Sequence, residues 1–451
     1  MRKKPLPSTA PPTRNSATEE KAENAVVKKT FSGLQSEQLS GQGKPIQNVS
    51  RYFYSLFAIL IFLCGVYAGT KYLPGSDLTS QFILGNDDNT RRVSILNSEP
   101  EDFFPVAEFR KQSAILIGCH NQLQLIPQLY ADIANAVDQK VPLFGIVSTE
   151  VQAQRGVEII HNLGLPTGAM RFLVIPSNSI WIRDYAPFIL RYDDDRALMV
   201  DAKYHTRTMR EKRKQDDYMG FELARFLDLP VRSIPLVLEG GNFISNGDGL
   251  LLTSSKTLAV NKEGEYSHNQ LISMFNDYLG VNGVYAVHPL EGEPNGHIDM
   301  FMTMLGKNLA IIAEIDPSVD PENSARLNKT AEFISTVTTS VGPIIVKRIP
   351  MPPKWGSDWR SYTNIIMANG VLLMPSFSNV DKVMEDRAEA VYRSSLPLGW
   401  DVKRINCDKL VALHGQLHCI SYSIPHFISI EGLLERSFPR TREKKLRSTK
   451  L

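Results

Sequence analysis

The sequence is poor in cysteine, with four cysteines in 451 residues, at positions 64, 119, 407 and 419. No two of them have the CxxC spacing of a zinc or redox motif, and they form no recognisable disulfide framework. The sequence also lacks a glycine-rich phosphate loop, an HExxH motif and an EF-hand loop. We therefore expect no metal and no cofactor, so that any chemistry must come from ordinary side chains.

The chain has almost no net charge, +2 in total, but its ends and its middle differ. Residues 1–51 contain nine Lys and Arg against four Glu, and residues 436–451 contain seven against one, which leaves residues 52–435 at −9. An acidic body argues against nucleic-acid binding and favours a cationic substrate. Residues 1–50 have few aromatic residues and are predicted to be a disordered basic segment, and residues 436–451 a basic tail.

One segment has no charge at all. Residues 52–70 (YFYSLFAILIFLCGVYAGT) are nineteen uncharged residues, which as a helix would span about 28 Å, the thickness of a bilayer core. Aromatic residues lie near both ends, as membrane interfaces favour, and the basic excess before the segment places the N-terminus in the cytoplasm and the body outside. The alternatives are a buried core helix and a signal peptide cleaved near Val66-Tyr67-Ala68, with an unusually long leader.

After a predicted linker at residues 71–102, the pattern changes to short apolar strands and amphipathic helices over residues 103–435. Clear examples are the helix Glu150–Asn162 and the strand Phe188–Tyr192. Asn246-Gly247 and Asn369-Gly370 predict hairpin turns. A strand pair, a helix and a further strand recur about five times without a visible sequence repeat, which predicts an α/β fold with mixed sheets.

Five stretches place polar residues beside predicted strands. Cys419 follows a strand-like apolar run at residues 410–417, and His297 and Asp299 are two apart at the start of a predicted strand, where they would share a face. Taken singly, each stretch has an ordinary interpretation, such as a surface ion pair, a turn or a buried cysteine. The remaining stretches are Trp181-Ile182-Arg183-Asp184, Glu239-Gly240-Gly241-Asn242 and Ser361-Tyr362-Thr363-Asn364.

Together, one thiol, one imidazole and three carboxylates fit an attack on a guanidinium group. This planar cation carries five donors, and Asp184 and Asp299 are suited to accept from it in pairs. Cys419 would attack the carbon, His297 would act as acid and then as base, and Glu239 would orient His297. The bound cation would help to lower the pKa of the thiol. Water would then convert the resulting thiouronium intermediate to a ureido group.

Six motifs resemble those of the guanidino-group-modifying superfamily, in the branch that contains agmatine deiminases and bacterial peptidylarginine deiminases. The resemblance implies a five-bladed α/β-propeller, or pentein, of ββαβ units with the site at its central axis. It also implies that Asp184 and Asp299 bind the guanidinium, that His297 is the acid and base, and that Cys419 is the nucleophile. We expect Trp181, Arg183, Glu239 and Asn364 to contact the substrate. The motifs occur in family order: Phe104-Pro105-Val106-Ala107-Glu108-Phe109, Trp181-Ile182-Arg183-Asp184, Glu239-Gly240-Gly241-Asn242, Gly296-His297-Ile298-Asp299, Tyr362-Thr363-Asn364 and His418-Cys419.

The resemblance leaves the substrate open. Agmatine deiminases usually carry a glycine triplet before the His-Cys pair, where this chain has His414-Gly415-Gln416, so we favour peptidyl-arginine, giving citrulline, over the agmatine of putrescine biosynthesis. Tyr204 and Arg207 resemble a Tyr-Arg stretch that binds a terminal carboxylate in bacterial peptidylarginine deiminases, although charged runs of this kind are usually only solvated. A cysteine amidase would need no paired carboxylates, and a non-catalytic binding protein on this fold would usually lack the thiol or the imidazole.

Overall fold

The computed structural model describes residues 103–440, except 193–194, 205–211 and 264–265, together with the backbone of Ser80–Leu84 and Arg92–Ile95. The predicted disordered segment 1–50, the predicted membrane helix 52–70 and most of the predicted basic tail lie outside these residues. Within the described part of the chain, no helix is both long and apolar enough to cross a membrane.

Five mixed sheets and one small hairpin contain the strands that the structure describes. Each mixed sheet has an antiparallel strand pair, one member of which also pairs in parallel with a third strand. This is the predicted combination of hairpins and crossovers. In chain order the strands are β1 (Ser80–Leu84), β2 (Arg92–Ile95), β3 (Phe103–Pro105), β4 (Gln112–Gly118), β5 (Leu143–Val147), β6 (Arg171–Val174), β7 (Phe188–Tyr192), β8 (Ala197–Lys203), β9 (Val231–Val237), β10 (Ile244–Ser245), β11 (Leu250–Ser254), β12 (Gly283–Val287), β13 (Met302–Gly306), β14 (Leu309–Glu314), β15 (Thr338–Thr339), β16 (Gly342–Pro343), β17 (Ile345–Pro350), β18 (Ile366–Ala368), β19 (Val371–Ser376), β20 (Asp401–Asn406) and β21 (Ser421–Pro425).

Helices connect the parallel strands of each sheet, which gives a recurring ββαβ unit. The units are β21-β4-β5, β7-β8-β9, β10-β11-β12, β13-β14-β17 and β18-β19-β20. β1 pairs in parallel with β12, so the stretch predicted to be a linker adds two strands to the third unit. The helices are α1 (Gln122–Leu125), α2 (Pro127–Val137), α3 (Glu150–Asn162), α4 (Ile182–Tyr185), α5 (Lys214–Asp217), α6 (Met219–Leu227), α7 (Ser255–Glu263), α8 (His268–Leu279), α9 (Pro321–Ser335), α10 (Lys382–Arg393), α11 (Asp408–Val411) and α12 (Glu431–Arg436).

The central strands are apolar on both faces. In β4 and β5 nearly every residue is buried, as expected where helices cover a parallel strand pair. The helices that cover the sheets begin at clear sequence signals. α3 starts with a capping box of Thr149 and Gln152, and α8 starts with one of Ser267 and Gln270.

The first unit is completed by the last strand. β21 pairs antiparallel with β4, with Tyr422 opposite Leu116. The Ser113 hydroxyl donates to the carbonyl of Ile424 at 3.4 Å across 311 residues of sequence. The two ends of the described domain are therefore joined within a single sheet.

The prediction that residues 410–417 form a strand is wrong. Its first residues belong to α11, and His414 turns the chain with a φ of 65°. Leu410, Val411 and Leu417 are all buried. A short apolar run does not distinguish a buried helical turn from a strand. Cys419 therefore precedes β21 and does not follow a strand.

Candidate active site

Five short segments form the site, and each lies immediately before the first strand of one unit. α4 and two 3₁₀ turns, Gly240–Asn242 and Ile298–Met300, belong to three of them. Turns at these positions bring polar side chains from five separate sheets toward one another. The segments are residues 181–185 before β7, 239–242 before β10, 297–300 before β13, 361–364 before β18 and 415–419 before β21.

Cys419 is almost fully buried, with 5% of its surface exposed, and Asn364 positions it. The Asn364 amide nitrogen lies 3.4 Å from the sulfur. The Asn364 side-chain oxygen accepts from the backbone N–H groups of His418 at 2.8 Å and Cys419 at 3.3 Å. One amide therefore fixes the backbone before β21 and places a donor beside the thiol.

His297 lies between carboxylates. Its Nε2 is 2.7 Å from Glu239 Oε2, and its Nδ1 is 3.8 Å from Asp184 Oδ1. Burial opposes a charge on the ring, but Asp184, Glu239 and Asp299 outweigh it and raise the pKa of His297 well above its usual value. The carboxylates therefore favour the imidazolium form of His297, which can donate a proton.

The expectation that His297 and Asp299 share one face of a strand is wrong. Ile298–Met300 form a 3₁₀ turn, and β13 begins only at Met302. The turn is held by the side-chain oxygen of Asn242, which accepts from the Ile298 N–H at 3.2 Å. Asp299 nevertheless lies near enough to His297 and Cys419 for its charge to contribute to raising the pKa of both.

Two glycines allow these segments to approach one another closely. A Cβ atom at Gly240 would collide with the Arg183 carbonyl, and one at Gly241 would lie 2.6 Å from His297 Nδ1. The Gly241 N–H donates to Asp184 Oδ1 at 3.3 Å. The glycines therefore serve contacts within the site, since no larger residue fits between α4 and His297.

One carboxylate oxygen of Asp299 is available to accept a hydrogen bond from a ligand. Its Oδ2 lies 2.7 Å from His418 Nδ1, whereas its Oδ1 is buried and has no hydrogen-bond partner in the described part of the chain. A buried acceptor without a partner is costly unless a ligand satisfies it. With Asp184, also buried, it gives two carboxylates that can accept from a planar cation.

The thiol is neutral in the free site. Burial and then the negative charges of Asp299 and Asp184 raise the pKa of Cys419 well above its usual value. A cation bound between these carboxylates would cancel their charge and lower the pKa of the thiol again. The arrangement would therefore couple ionisation of the thiol to the binding of a cation.

A second layer of charged groups supports Asp299. His418 bridges Asp299 and Glu108, because its Nε2 lies 2.7 Å from Glu108 Oε2. Glu108 and Asp299 outweigh burial and Arg183 and raise the pKa of His418, while Arg183 and His418 outweigh burial and lower the pKa of Glu108 to about 2. Glu108 and His418 belong to the sequence motifs, but no role is predicted for them from the sequence. The one sequence signal that could have indicated a role for them is a polar side chain within an otherwise apolar motif.

Arg183, predicted to contact the substrate, forms an ion pair with Glu108. Its Nε also donates to the His418 carbonyl at 3.4 Å, and its backbone N–H donates to the Cys419 carbonyl at 3.2 Å. The guanidinium of Arg183 therefore acts on the site through Glu108 and His418.

Trp181, predicted to contact the substrate, is half-buried. Its ring packs against Gly415, where a Cβ atom would collide with it. Gln416, the next residue, is fully buried; it accepts from the Ser361 N–H at 3.0 Å and donates to the Trp359 carbonyl at 3.2 Å. The His414-Gly415-Gln416 stretch therefore shapes the wall beside Cys419.

Arg207 lies outside the described residues. The preceding strand, β8, and the buried Tyr204 are described, and the Tyr204 N–H donates to Asp217 Oδ1 at 2.8 Å.

In the part of the chain that the structure describes, no group of three or more His, Cys, Asp or Glu side chains is placed to hold a metal ion.

The sequence and the fold are similar to those of known proteins. A protein of Yersinia pseudotuberculosis serotype O:1b (strain IP 31758), named "Putative agmatine deiminase", is 23% identical over 366 residues, which cover 72% of this chain and 96% of the relative. The structure of the "Putative Arginine Deiminase from Porphyromonas gingivalis" superimposes with a TM-score of 0.63 at 22% identity, covering 72% and 99% of the two chains. The agmatine deiminase of Enterococcus faecalis gives a TM-score of 0.62 at 18% identity, covering 73% and 99%. At these identities the solved structures show a shared fold.

The family model of Porphyromonas-type peptidyl-arginine deiminases matches residues 105–425. The matched range extends from the end of β3 to the end of β21 and contains all five segments of the site. It also contains the supporting Glu108 and His418. Because this match covers most of the chain and the whole of its site, the protein belongs to the Porphyromonas-type peptidyl-arginine deiminase family.

Proposed function

We propose that the protein hydrolyses the guanidinium group of peptidyl-arginine to the ureido group of citrulline and releases ammonia. The observation that carries this proposal is the buried thiol of Cys419 in a site with His297 and with two carboxylates, one of which, Asp299, has an oxygen without a hydrogen-bond partner in the described residues. The reaction class, hydrolysis of an amidine C–N bond, agrees with family membership.

The side chains can perform the reaction in two stages. The substrate cation binds between Asp184 and Asp299, and the thiol of Cys419 loses its proton to solvent as its pKa falls. The thiolate attacks the guanidinium carbon. His297 then donates its proton to the departing nitrogen, which leaves as ammonia and gives a cationic thiouronium on sulfur.

Water completes the reaction. Neutral His297 takes a proton from a water molecule, whose oxygen attacks the thiouronium carbon. The C–S bond breaks as the ureido carbonyl forms, and the sulfur takes up the hydroxyl proton to restore the thiol. Glu239, 2.7 Å from the imidazole, stabilises the imidazolium at both ends of the cycle.

A second candidate substrate is agmatine, which would give N-carbamoylputrescine. The relatives named as agmatine deiminases favour it. The absence of a glycine triplet at His414-Gly415-Gln416 favours peptidyl-arginine instead.

The substrate is tested by assaying the full chain in detergent micelles for ureido product. Arginyl peptides, free arginine and agmatine are compared at equal concentrations. We expect the highest kcat/KM for arginyl peptides. Turnover of agmatine far above that of every peptide would replace the first function with the second.

The five units, in our proposal, close into a five-bladed propeller. The support is the pairing of β21 with β4, which joins the last site segment to the first unit, and the position of all five segments before the first strand of a unit. The substrate would then enter along the central axis.

The catalytic domain, we further propose, is tethered to a membrane by residues 52–70, with the N-terminus in the cytoplasm and the domain outside. The support is the uncharged segment and the basic excess in the residues before it, which contain nine Lys and Arg against four Glu. A signal peptide cleaved near Ala68 is the alternative.

A further inference from the structure

Asp201 is a buried carboxylate that no described residue satisfies. Only 8% of its surface is exposed, and it forms no hydrogen bond or ion pair within the described part of the chain. Lys203 lies two residues further along the same face of β8, but its ammonium does not pair with Asp201. A buried carboxylate without a partner is unfavourable unless a cation or a donor reaches it.

The helix that packs over Asp201 leaves space for its carboxylate. Gly220 is in the first turn of α6. A Cβ atom at this position would lie 2.0 Å from Asp201 Oδ1, so a larger residue could not occupy it without displacing the carboxylate. The glycine therefore keeps the carboxylate between β8 and α6.

Asp201 lines a cavity of about 550 Å³ in the second unit, outside the active site. β8, β9 and the start of α6 form its walls, and Asp217 lines it together with Asp201. Tyr218 and Phe221 are its aromatic side, with 64% and 43% of their surfaces exposed and their ring centres 6.3 Å apart. The cavity thus combines a buried carboxylate with exposed aromatic rings.

The two carboxylates of the cavity lie close enough to interact. Burial, and then the charge of Asp217, raise the pKa of Asp201 to about 7. The other titratable groups that line the cavity are Lys203, which is exposed, and Tyr218. Asp217 Oδ1 already accepts from the Tyr204 N–H at 2.8 Å. A cation that entered the cavity would favour the charged form of Asp201.

The walls of the cavity suit an organic cation better than a metal ion. A metal ion needs several ligands, and no group of three or more His, Cys, Asp or Glu side chains in the described residues is placed to hold one. An ammonium group has three donors for the carboxylates. An apolar stem attached to it would pack against Tyr218 and Phe221, whose rings also attract a cation.

We propose that the cavity beside Asp201 binds a primary ammonium group on an apolar stem. Neither Asp184 nor Asp299 lines this cavity, so the site is separate from the one that takes the guanidinium. The inference goes beyond the proposed function and does not depend on it. The ammonium belongs either to a free alkylamine or to a lysine side chain of a peptide.

The test measures the binding of n-butylamine to the full chain in detergent micelles by ligand-observed NMR, with n-butanol as the uncharged comparison. We expect the amine to bind and the alcohol not to bind. Asp201→Asn should raise the Kd of the amine about tenfold, because a hydrogen bond to a charged group is lost. A peptide with one lysine and blocked ends is measured alongside. Tighter binding of the amine identifies a free alkylamine, and tighter binding of the peptide identifies a lysine side chain.

Two variants serve as controls and should retain the binding of the amine. Asp228→Asn changes an exposed carboxylate at the other end of α6. Asp184→Asn removes a charge from the guanidinium site. Phe221→Ala, in contrast, should weaken binding about threefold, since part of the aromatic wall is lost.

The wild type provides a second measurement, which decides the matter if Asp201→Asn lowers the thermal unfolding midpoint. Between pH 6 and pH 8 n-butylamine stays protonated, whereas Asp201 loses its proton. The Kd of the amine should therefore fall about tenfold as the pH rises through this range.

Unchanged binding in a folded Asp201→Asn variant would overturn the proposal. So would loss of binding in Asp184→Asn, which would place the amine in the guanidinium site. A Kd that does not change between pH 6 and pH 8, or no binding of the amine at either pH, would also overturn it. None of these outcomes depends on whether the protein deiminates peptides, because the readout is binding.

Discussion

Cys419 differs from the other described cysteines in its surroundings rather than in its burial. Cys119 and Cys407 are buried among apolar residues, and burial raises the pKa of the Cys119 thiol. Cys419→Ser should abolish turnover and leave the fold intact, because the change is nearly isosteric. Cys119→Ser and Cys407→Ser, the matched controls, should keep most activity. The measurement is ureido product together with the thermal unfolding midpoint, and more than a trace of turnover in Cys419→Ser would disprove the covalent mechanism.

In the proposed mechanism, the charge on His297 sets the upper pH limit of activity. Because Glu239 helps to raise the pKa of His297, Glu239→Gln should lower that pKa. The acid form of His297 is then lost at lower pH, so the alkaline limb of kcat/KM should move to lower pH. The pH profile of the variant checks this, with the exposed Glu291→Gln as a control. An unmoved alkaline limb would mean that His297 does not supply the proton.

Glycines bring several site segments into close contact. At Gly241 a Cβ atom would push against His297 and Asp184. Gly241→Ala should therefore lower kcat/KM by about 100-fold, the effect of displacing a catalytic group by about 1 Å, with a small change in stability.

Gly306→Ala is the matched control. At that position the nearest atom to an added Cβ is 3.6 Å away, which is an ordinary contact. Steady-state kinetics and thermal unfolding of both variants make the comparison. Equal activity in the two variants would contradict the role given to Gly241.

Elements with strong local signals could be predicted from the sequence. The helix Glu150–Asn162 and the strand Phe188–Tyr192 are confirmed with the same bounds. The Asn369-Gly370 turn is confirmed between β18 and β19, with φ values of 44° and 102°. In each case the determinants, a capping box, an apolar run or a turn dipeptide, lie within a few residues of one another.

Elements that depend on distant partners could not be predicted. β21 (SYSIP) has a weak local pattern and becomes a strand by pairing with β4. The Glu108–His418–Asp299 network joins three segments far apart in sequence, so a single sequence does not reveal its geometry. The residue types at the site could be predicted, because they are the types required for binding and attacking a guanidinium. The hydrogen-bond network that supports these residues could not be predicted.

At the scale of the whole molecule, the predicted family and reaction class are confirmed by the match over residues 105–425. The mixed α/β sheets are also as predicted. The membrane segment stays a prediction, since residues 52–70 lie outside the described part of the chain.

The topology can be tested on intact cells or spheroplasts. The full chain should sediment with membranes, and added protease should digest the catalytic domain but spare residues 1–51. The physical reason is the basic excess before the uncharged segment. Detergent-permeabilised cells, in which both parts are digested, are the control. Protection of the domain in intact cells would reverse the orientation.

The pairing of β21 with β4 also has a consequence for how the protein is made. During translation β4 emerges early, but its partner strand and the nucleophile just before it are synthesised after almost all of the domain. Until β21 has been synthesised, one edge of β4 has no partner strand, and a contact across 311 residues is slow to form. A chain that stops short of Cys419 would contain the carboxylates that bind the cation but no thiol to attack it. The reactive sulfur is therefore synthesised after the other four segments of the site.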